Sequence, residues 1–338
     1  MNNQSVPVAR VYRGQTIESI HWGSAAVVNS DGQLKYHIGN PHLYTFFRST
    51  AKPFQAIPVV ESGAARRFEF TSSELAIMAG SHSGEDYHIQ TVKTILDKIG
   101  LNESNLKCGS HPPIRYSTFN IPPESGRIFT PVEHNCSGKH AGMLAVAVHK
   151  GLSVEDYLSP THPVQEMITQ TIAEICRYPE DKIAVATDGC SAPAHAMPLF
   201  NMALGYARLI APNSVPKEKA KAYSTISMAM MEHPEMVSGS GRFDLAVVTS
   251  PGEGIISKGG AEAVTCFAFV NRNMGAAVKI TDGGSRAMHP VGVEFLYKLG
   301  ARIKNEALNN FHRPQIKNWR DAEVGFIEPG FEIIEGGP

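Results

Sequence analysis

Charge is scarce in this chain, and neither sign prevails. Lys and Arg number 31 against 32 Asp and Glu, a net charge of -1 with 19% of residues charged. That balance offers no basic field for a phosphate backbone and no polybasic run for an anionic membrane, so nucleic acid and lipid surfaces are set aside as partners. Long apolar runs are missing as well; none approaches the roughly 20 residues that span a bilayer. The opening residues, MNNQSVPVARVYRG, lack the basic-then-apolar order of a secretory signal. Cysteines are few, odd in number and scattered: Cys108, Cys136, Cys176, Cys190 and Cys266. Without an export signal, this argues for reduced thiols in the cytoplasm rather than a disulfide framework. There is no C-x-x-C, no H-E-x-x-H, no internal repeat and no low-complexity linker. What remains is an ordinary globular composition, 42% hydrophobic over 338 residues. Such a chain can bury a large core, and its default partner is a small molecule.

The local patterns put strands at both ends and helices between them. Val8–Tyr12, Glu18–Val28 and Leu34–Ile38 are rich in β-branched and aromatic residues, with Ser30-Asp31-Gly32 as a turn before the third. Helical spacing of Ile89, Val92, Ile95, Leu96 and Ile99 predicts a helix that stops at Gly100. A second helical run opens at Cys136 and closes at Gly151; Pro163–Arg177 and Lys217–Glu232 are further helices, and Ile183–Thr187 is a short strand. Gly254–Ser257, Val264–Val270 and Ala276–Ile280 return to strand, Pro290–Leu299 reads as helix, and Val324–Ile334 as an added edge strand or a loop. The economical α/β (α+β) arrangement is one antiparallel sheet built from both chain ends and covered by helices, with a mostly helical lobe inserted. It is a single catalytic domain over 1–338, with a sheet lobe at about 1–48 and 245–338 and a helical lobe at about 49–244.

Arg48-Ser49-Thr50-Ala51-Lys52-Pro53 contains S-x-x-K. A serine hydroxyl needs a base within reach to attack at neutral pH, and on a helix residues three apart share a face. A helix beginning at about Ser49 sets Lys52 beside that hydroxyl and tolerates Pro53 in its first turn. Lysine serves as base only when burial or a neighbouring cation keeps it neutral. Alone the motif is weak, because chance matches are common and a solvated Ser and Lys at a helix start look the same. Two companions sharpen it. Gly80-Ser81-His82-Ser83-Gly84 follows the apolar run Leu75–Ala79, and Ser257-Lys258-Gly259-Gly260 ends a late strand. Serine–lysine hydrolases of the β-lactamase and penicillin-binding type carry S-x-x-K, a serine loop and then K-T-G on a strand; here K-G-G takes the last place. Lys258 would lower the pKa of Lys52 or hold a substrate carboxylate, and the Ser49 N–H would form part of an oxyanion hole.

His134-Asn135-Cys136-Ser137-Gly138-Lys139-His140 opens a helix, and Asp188-Gly189-Cys190-Ser191-Ala192-Pro193 follows a short strand. Two thiolates in Gly/Ser loops could be half of a zinc site, with Lys139 one turn after Cys136 as an unusual third ligand; equally, they could be two small buried side chains. Cys108, Cys176 and Cys266 are assigned to packing. Gly239-Ser240-Gly241-Arg242 is too short for a phosphate loop and reads as a flexible turn, although Arg242 could meet a carboxylate.

Taken together, V-Y-R-G, E-S-I-H-W-G-S-A-A-V-V, R-S-T-A-K-P-F-Q, G-S-H-S-G-E, H-N-C-S-G-K-H-A-G-M, T-D-G-C-S-A-P and S-K-G-G-A-E resemble the class 3, rhizobial-type L-asparaginases over nearly the whole chain. The resemblance implies a fold similar to serine β-lactamases and one class of glutaminases. It implies hydrolysis of L-asparagine to L-aspartate and ammonia by a homodimer. It places the nucleophile at Ser49 with Lys52, a second pair at Ser81 and Lys258, and zinc on Cys136, Lys139 and Cys190, where the metal shapes substrate binding more than chemistry. Arg48, Asp188 and His140 become substrate-binding or supporting groups. The rivals are a glutaminase or other small-amide hydrolase, a β-lactam-binding or peptidase-like enzyme, and a non-catalytic zinc-binding sensor on the same scaffold.

Overall fold

The computed structural model describes residues 4–213, 215–252, 254–303 and 305–336. Its strands, in chain order, are β1 (Val6–Arg13), β2 (Thr16–Asn29), β3 (Leu34–Ile38), β4 (Tyr44–Phe46), β5 (Ala184–Thr187), β6 (Pro193–Pro198), β7 (Ile255–Gly260), β8 (Val264–Phe269), β9 (Met274–Ile280), β10 (Gln315–Lys317), β11 (Glu323–Pro329) and β12 (Ile334–Glu335). The chain divides into two compact units. One comprises Met1–Thr50, Met197–Ala211 and Ala246–Pro338; the other comprises Ala51–Ala196 and Pro212–Leu245.

The first unit is built on an antiparallel sheet ordered β10-β11-β1-β2-β9-β8-β7, with β3 joining β2 to β12. Strands from both chain ends therefore interleave, as the sequence predicts. β2 shows why: its outer half leaves Ile17, Ile20 and Trp22 exposed, whereas Gly23–Val28 is buried residue after residue. Alternation would bury only every second side chain, so the inner half has both faces covered. The Leu199–Ile210 helix packs on β2, β8 and β9, and Ser285–Lys298 packs on β1, β9 and β11. Gly275 in β9 is where the first of these helices comes closest to the sheet backbone. A Cβ there would lie 2.0 Å from the Ala203 carbonyl oxygen and 2.4 Å from the Ala207 nitrogen. Gly275→Ala must push the helix off the sheet, and a loss of about 2 kcal/mol or more is expected; urea unfolding of the variant beside the parent measures it.

Two expectations are revised. The C-terminal segment divides between two strands: β11 lies between β10 and β1, because Gln315–Lys317 supplies a further strand outside it, and Ile334 opens β12, which pairs with β3. The late helix begins at Ser285 rather than Pro290, so Pro290 sits inside it, where its missing N–H forfeits one helix hydrogen bond.

The second unit is mostly helical, with β5 and β6 as its hairpin. Thr71 caps Ser72–Met78 in a reciprocal box with Glu74. Gly151, at φ 66°, ends Ser137–Lys150 as the left-handed residue favoured after a helix. Ser137–Lys150 is buried without interruption from Ser137 to Ala147. Small residues permit this: a Cβ on Gly138 would meet the Ile77 carbonyl oxygen at 2.5 Å, and one on Gly142 would meet Met78 at 3.2 Å. This close crossing carries Lys139 and His140 into the interior. Among the described residues, no helix is long and apolar enough to cross a membrane.

Candidate active site

Lys52 is the first residue of the Lys52–Glu61 helix and is 1% exposed. Its Nζ donates to Ser81 Oγ at 2.9 Å and to the Asn135 carbonyl oxygen at 3.0 Å. Burial pushes its pKa down, the nearby Lys139 cation adds to this, and the sulfurs of Cys136 and Cys190 oppose it. A neutral amine has two N–H groups and one lone pair. Both N–H groups can be spent on those two oxygens, which leaves the lone pair free to take a proton.

Ser81 is held from several directions. Its N–H donates to the Val237 carbonyl at 2.7 Å, and Ser83 Oγ donates to the Ser238 carbonyl at 2.9 Å. His82, fully buried, accepts the Gly84 N–H at Nδ1, so its proton is on Nε2 and is donated to Ser137 Oγ at 2.8 Å. Ser137 Oγ passes its own proton to the Val132 carbonyl. Burial holds the His82 ring well below the usual histidine range, with His88 stacked beside it. The ring thus serves as a neutral strut between the Ser81 loop and the helix that begins at Ser137.

At the start of that helix, Cys136 is drawn well below the ordinary thiol pKa, first by its contact with Cys190 and then by the Lys52 and Lys139 charges, against burial. Lys139 Nζ donates to Cys190 Sγ at 3.0 Å. Burial works to lower Lys139, but the sulfurs of Cys136 and Cys190 outweigh it and raise the amine. Behind them, His140 Nδ1 is 2.7 Å from Tyr157 Oη, while its Nε2 is buried with no hydrogen-bond partner. Burial takes His140 down to about 4, so the ring is neutral. His134, lowered to about 3 by burial, accepts the Cys136 N–H at Nδ1. Asp188 is half-buried in the β5–β6 turn, accepts the Gly189 N–H at Oδ1 and helps to raise Lys139. Among the described residues, no three His, Cys, Asp or Glu side chains form a metal-binding set. A metal here would depend on the Lys139 amine, and two sulfurs, that amine and an unpartnered buried imidazole nitrogen fit a soft divalent ion.

Arg48, Ser49 and Lys258 belong to the first unit. Arg48–Ala51 is a 3₁₀ turn that runs directly into the Lys52–Glu61 helix, so the helix starts at Lys52 rather than at Ser49. Arg48 has φ 51° and lies 4.0 Å from Glu262; a positive φ on a large side chain immediately before a serine is the kind of local strain found at functional turns. Thr50 donates to the Phe47 carbonyl, and Tyr206 Oη donates to the Thr50 carbonyl at 2.7 Å. A Cβ on Gly260, at the end of β7, would be 3.3 Å from the Ser49 nitrogen. A side chain there would crowd the Ser49 N–H and would meet Val264 Cγ1 at 2.8 Å. Lys258 is 1% exposed, and its Nζ donates to the Gly259 carbonyl at 2.6 Å.

Within the helical unit the structure thus gathers Lys52, Ser81, Cys136, Lys139, His140 and Cys190, with Asp188 beside them. Sequence reasoning paired Ser81 with Lys258 and did not foresee the bond that Lys52 gives Ser81 Oγ. It also missed His82, His134 and the Asn135 carbonyl. The first two lie inside motifs already singled out, but a main-chain acceptor carries no residue-type signal.

The chain belongs to a family of hydrolases that act on amide bonds. The family model for L-asparaginase II matches residues 9–329, and the chain belongs to that family. No curated protein matches it. Among solved structures it is similar to a β-lactamase, Mb2281c from Mycobacterium bovis, with 12% identity, 82% of this chain and 94% of that one covered, and a TM-score of 0.43. It is also similar to Mglu in its L-glutamate binding form, with 13% identity, 82% and 58% covered, and a TM-score of 0.37.

Proposed function

We propose that the protein is an L-asparaginase that cleaves the side-chain amide of L-asparagine through a serine ester. The observation that carries the reading is Lys52: buried, depressed in pKa, and bonded to Ser81 Oγ. In this reading Lys52 takes the Ser49 proton as Ser49 Oγ attacks the amide carbon. The C–N bond breaks, and the departing nitrogen receives a proton through Ser81 and Lys258 and leaves as ammonia. Water adds to the β-aspartyl ester and gives a proton back to the Ser81–Lys258 pair, the C–Oγ bond breaks, and Ser49 regains its proton from Lys52. The Ser49 N–H, beside β7, supplies part of the oxyanion hole. Arg48 and Asp188 orient the substrate, and His140 supports the Lys139–Cys190 pair from behind. Cys136, Lys139 and Cys190 would hold a zinc ion, which supplies a fixed positive charge near the substrate.

The test is ammonia release from L-asparagine and L-glutamine, with mass spectrometry of acid-quenched enzyme. Expected are a mass gain on the Ser49 peptide and a preference for asparagine of roughly ten- to a hundredfold, the discrimination one methylene allows. Turnover with no ester on Ser49 removes the serine mechanism; equal rates on both amides remove the asparagine assignment.

A further inference from the structure

Asn135 lies between two groups that the proposed mechanism uses, and nothing above gives its side chain a role. Its carbonyl oxygen accepts from Lys52 Nζ at 3.0 Å. Its terminal amide, drawn with the oxygen inward, faces two neighbours at once: His111 Nε2 at 3.2 Å and Cys136 Sγ at 3.5 Å. The His111 ring sets the orientation. Its Nδ1 lies 2.7 Å from the Pro112 carbonyl oxygen, which can only accept, so Nδ1 carries the ring proton. In the neutral ring Nε2 is then a bare acceptor and needs a donor. An amide oxygen cannot provide one, whereas the NH2 group can, and oxygen and nitrogen of an amide differ only by a half-turn. Turned this way, one N–H meets His111 Nε2 and the other points at Cys136 Sγ, which accepts as thiol, thiolate or metal ligand. Both ring nitrogens of His111 and the Cys136 sulfur then have a matching partner.

We infer that Asn135 is a positioning residue whose amide NH2 tethers both His111 Nε2 and Cys136 Sγ, and so fixes the main-chain carbonyl that orients Lys52. The inference rests on the reading of Lys52 as base and of Cys136 as zinc ligand. One residue then ties the base to the candidate metal centre, and it does so without touching substrate. The same tether holds the segment that begins at His111 against the Asn135–Cys136 turn.

Nitrogen-15 NMR at roughly pH 8–9, above the ordinary histidine range, reads the His111 tautomer directly and requires neither turnover nor metal. Nδ1–H is expected; an Nε2–H ring overturns the inference, because it would donate to an inward amide oxygen. Asn135→Asp, which keeps the shape and loses both N–H groups, is expected to weaken zinc about 10- to 100-fold in chelator competition, and to lower kcat at least about tenfold with a smaller change in KM. A thermal melt close to the parent's shows that the fold is kept. A variant that retains parental kcat and zinc affinity overturns the inference. If the parent releases no ammonia, the asparaginase reading fails while the tautomer and zinc competition still decide the tether. If the parent takes up no zinc, the tautomer and kcat decide it.

Discussion

Ser49→Ala and Lys52→Met are each expected to lower ammonia release from L-asparagine by roughly four orders of magnitude, and the double variant no further. The two side chains act as one unit in the proposed mechanism: an alanine leaves nothing to acylate, and a methionine leaves the hydroxyl without a base. Groups that share a step lose nearly everything at the first deletion. Lys52→Arg should be as inactive as Lys52→Met, because a guanidinium does not become neutral in proteins. Stability separates this result from misfolding. Burial depresses the folded-state pKa of Lys52, so the unfolded chain binds more protons between that depressed value and the free-lysine value. Stability contributed by this group therefore rises with pH across the window and is flat above it. Lys52→Met removes that rise. The parent should also gain kcat/KM as pH climbs through the depressed pKa, since only the neutral amine accepts the Ser49 proton. Denaturation midpoints and initial rates over a pH series test both. A Lys52→Met enzyme that keeps a tenth of parental activity would show that the base lies elsewhere.

The sequence was most legible where one physical cause dominates. Periodicity located Lys217–Glu232 to the residue, and β-branched runs located β1, β2 and β3, because both signals come from burial of a repeating face. The antiparallel use of both chain ends followed from strands at the ends and helices between. Partial or non-local causes were less legible. Nothing near Val324 announces that Gln315–Lys317 will flank it, since a three-residue strand has too few side chains for a pattern. Pro290 looked like a helix start because that is where proline is cheapest, but packing of the Ser285–Lys298 helix on β1, β9 and β11 overrides the preference. In the candidate site, reactive residue types stood out in their motifs, whereas their partners did not. Lys52 bonds to a serine 29 residues away and to a main-chain oxygen 83 residues away. A motif names the chemistry, but the fold chooses which hydroxyl the amine meets.

The proposed zinc site gives the second large effect. The purified protein is expected to carry about one zinc per chain, and Cys190→Ala or Cys136→Ser to lose it. Loss of zinc should raise KM for asparagine by roughly 10- to 100-fold and change kcat less, because the groups assigned to proton transfer are Lys52, Ser81 and Lys258 rather than metal ligands. Metal uptake should also depend on pH with a definite sign. Without metal, the sulfurs of Cys136 and Cys190 hold Lys139 protonated, with its ammonium 3.0 Å from Cys190 Sγ. An ammonium has no lone pair, so zinc must displace a proton from Lys139 as well as any left on sulfur. Affinity then strengthens as pH rises, and binding releases protons that calorimetry in buffers of different ionisation enthalpy can count. Lys139→Met separates the roles of the amine: it should bind zinc more weakly and lose most of that pH dependence while keeping both thiols. If stripping the metal collapses kcat and leaves KM unchanged, the ion takes part in the chemistry itself and the assignment of proton transfer to the two lysines must be redrawn.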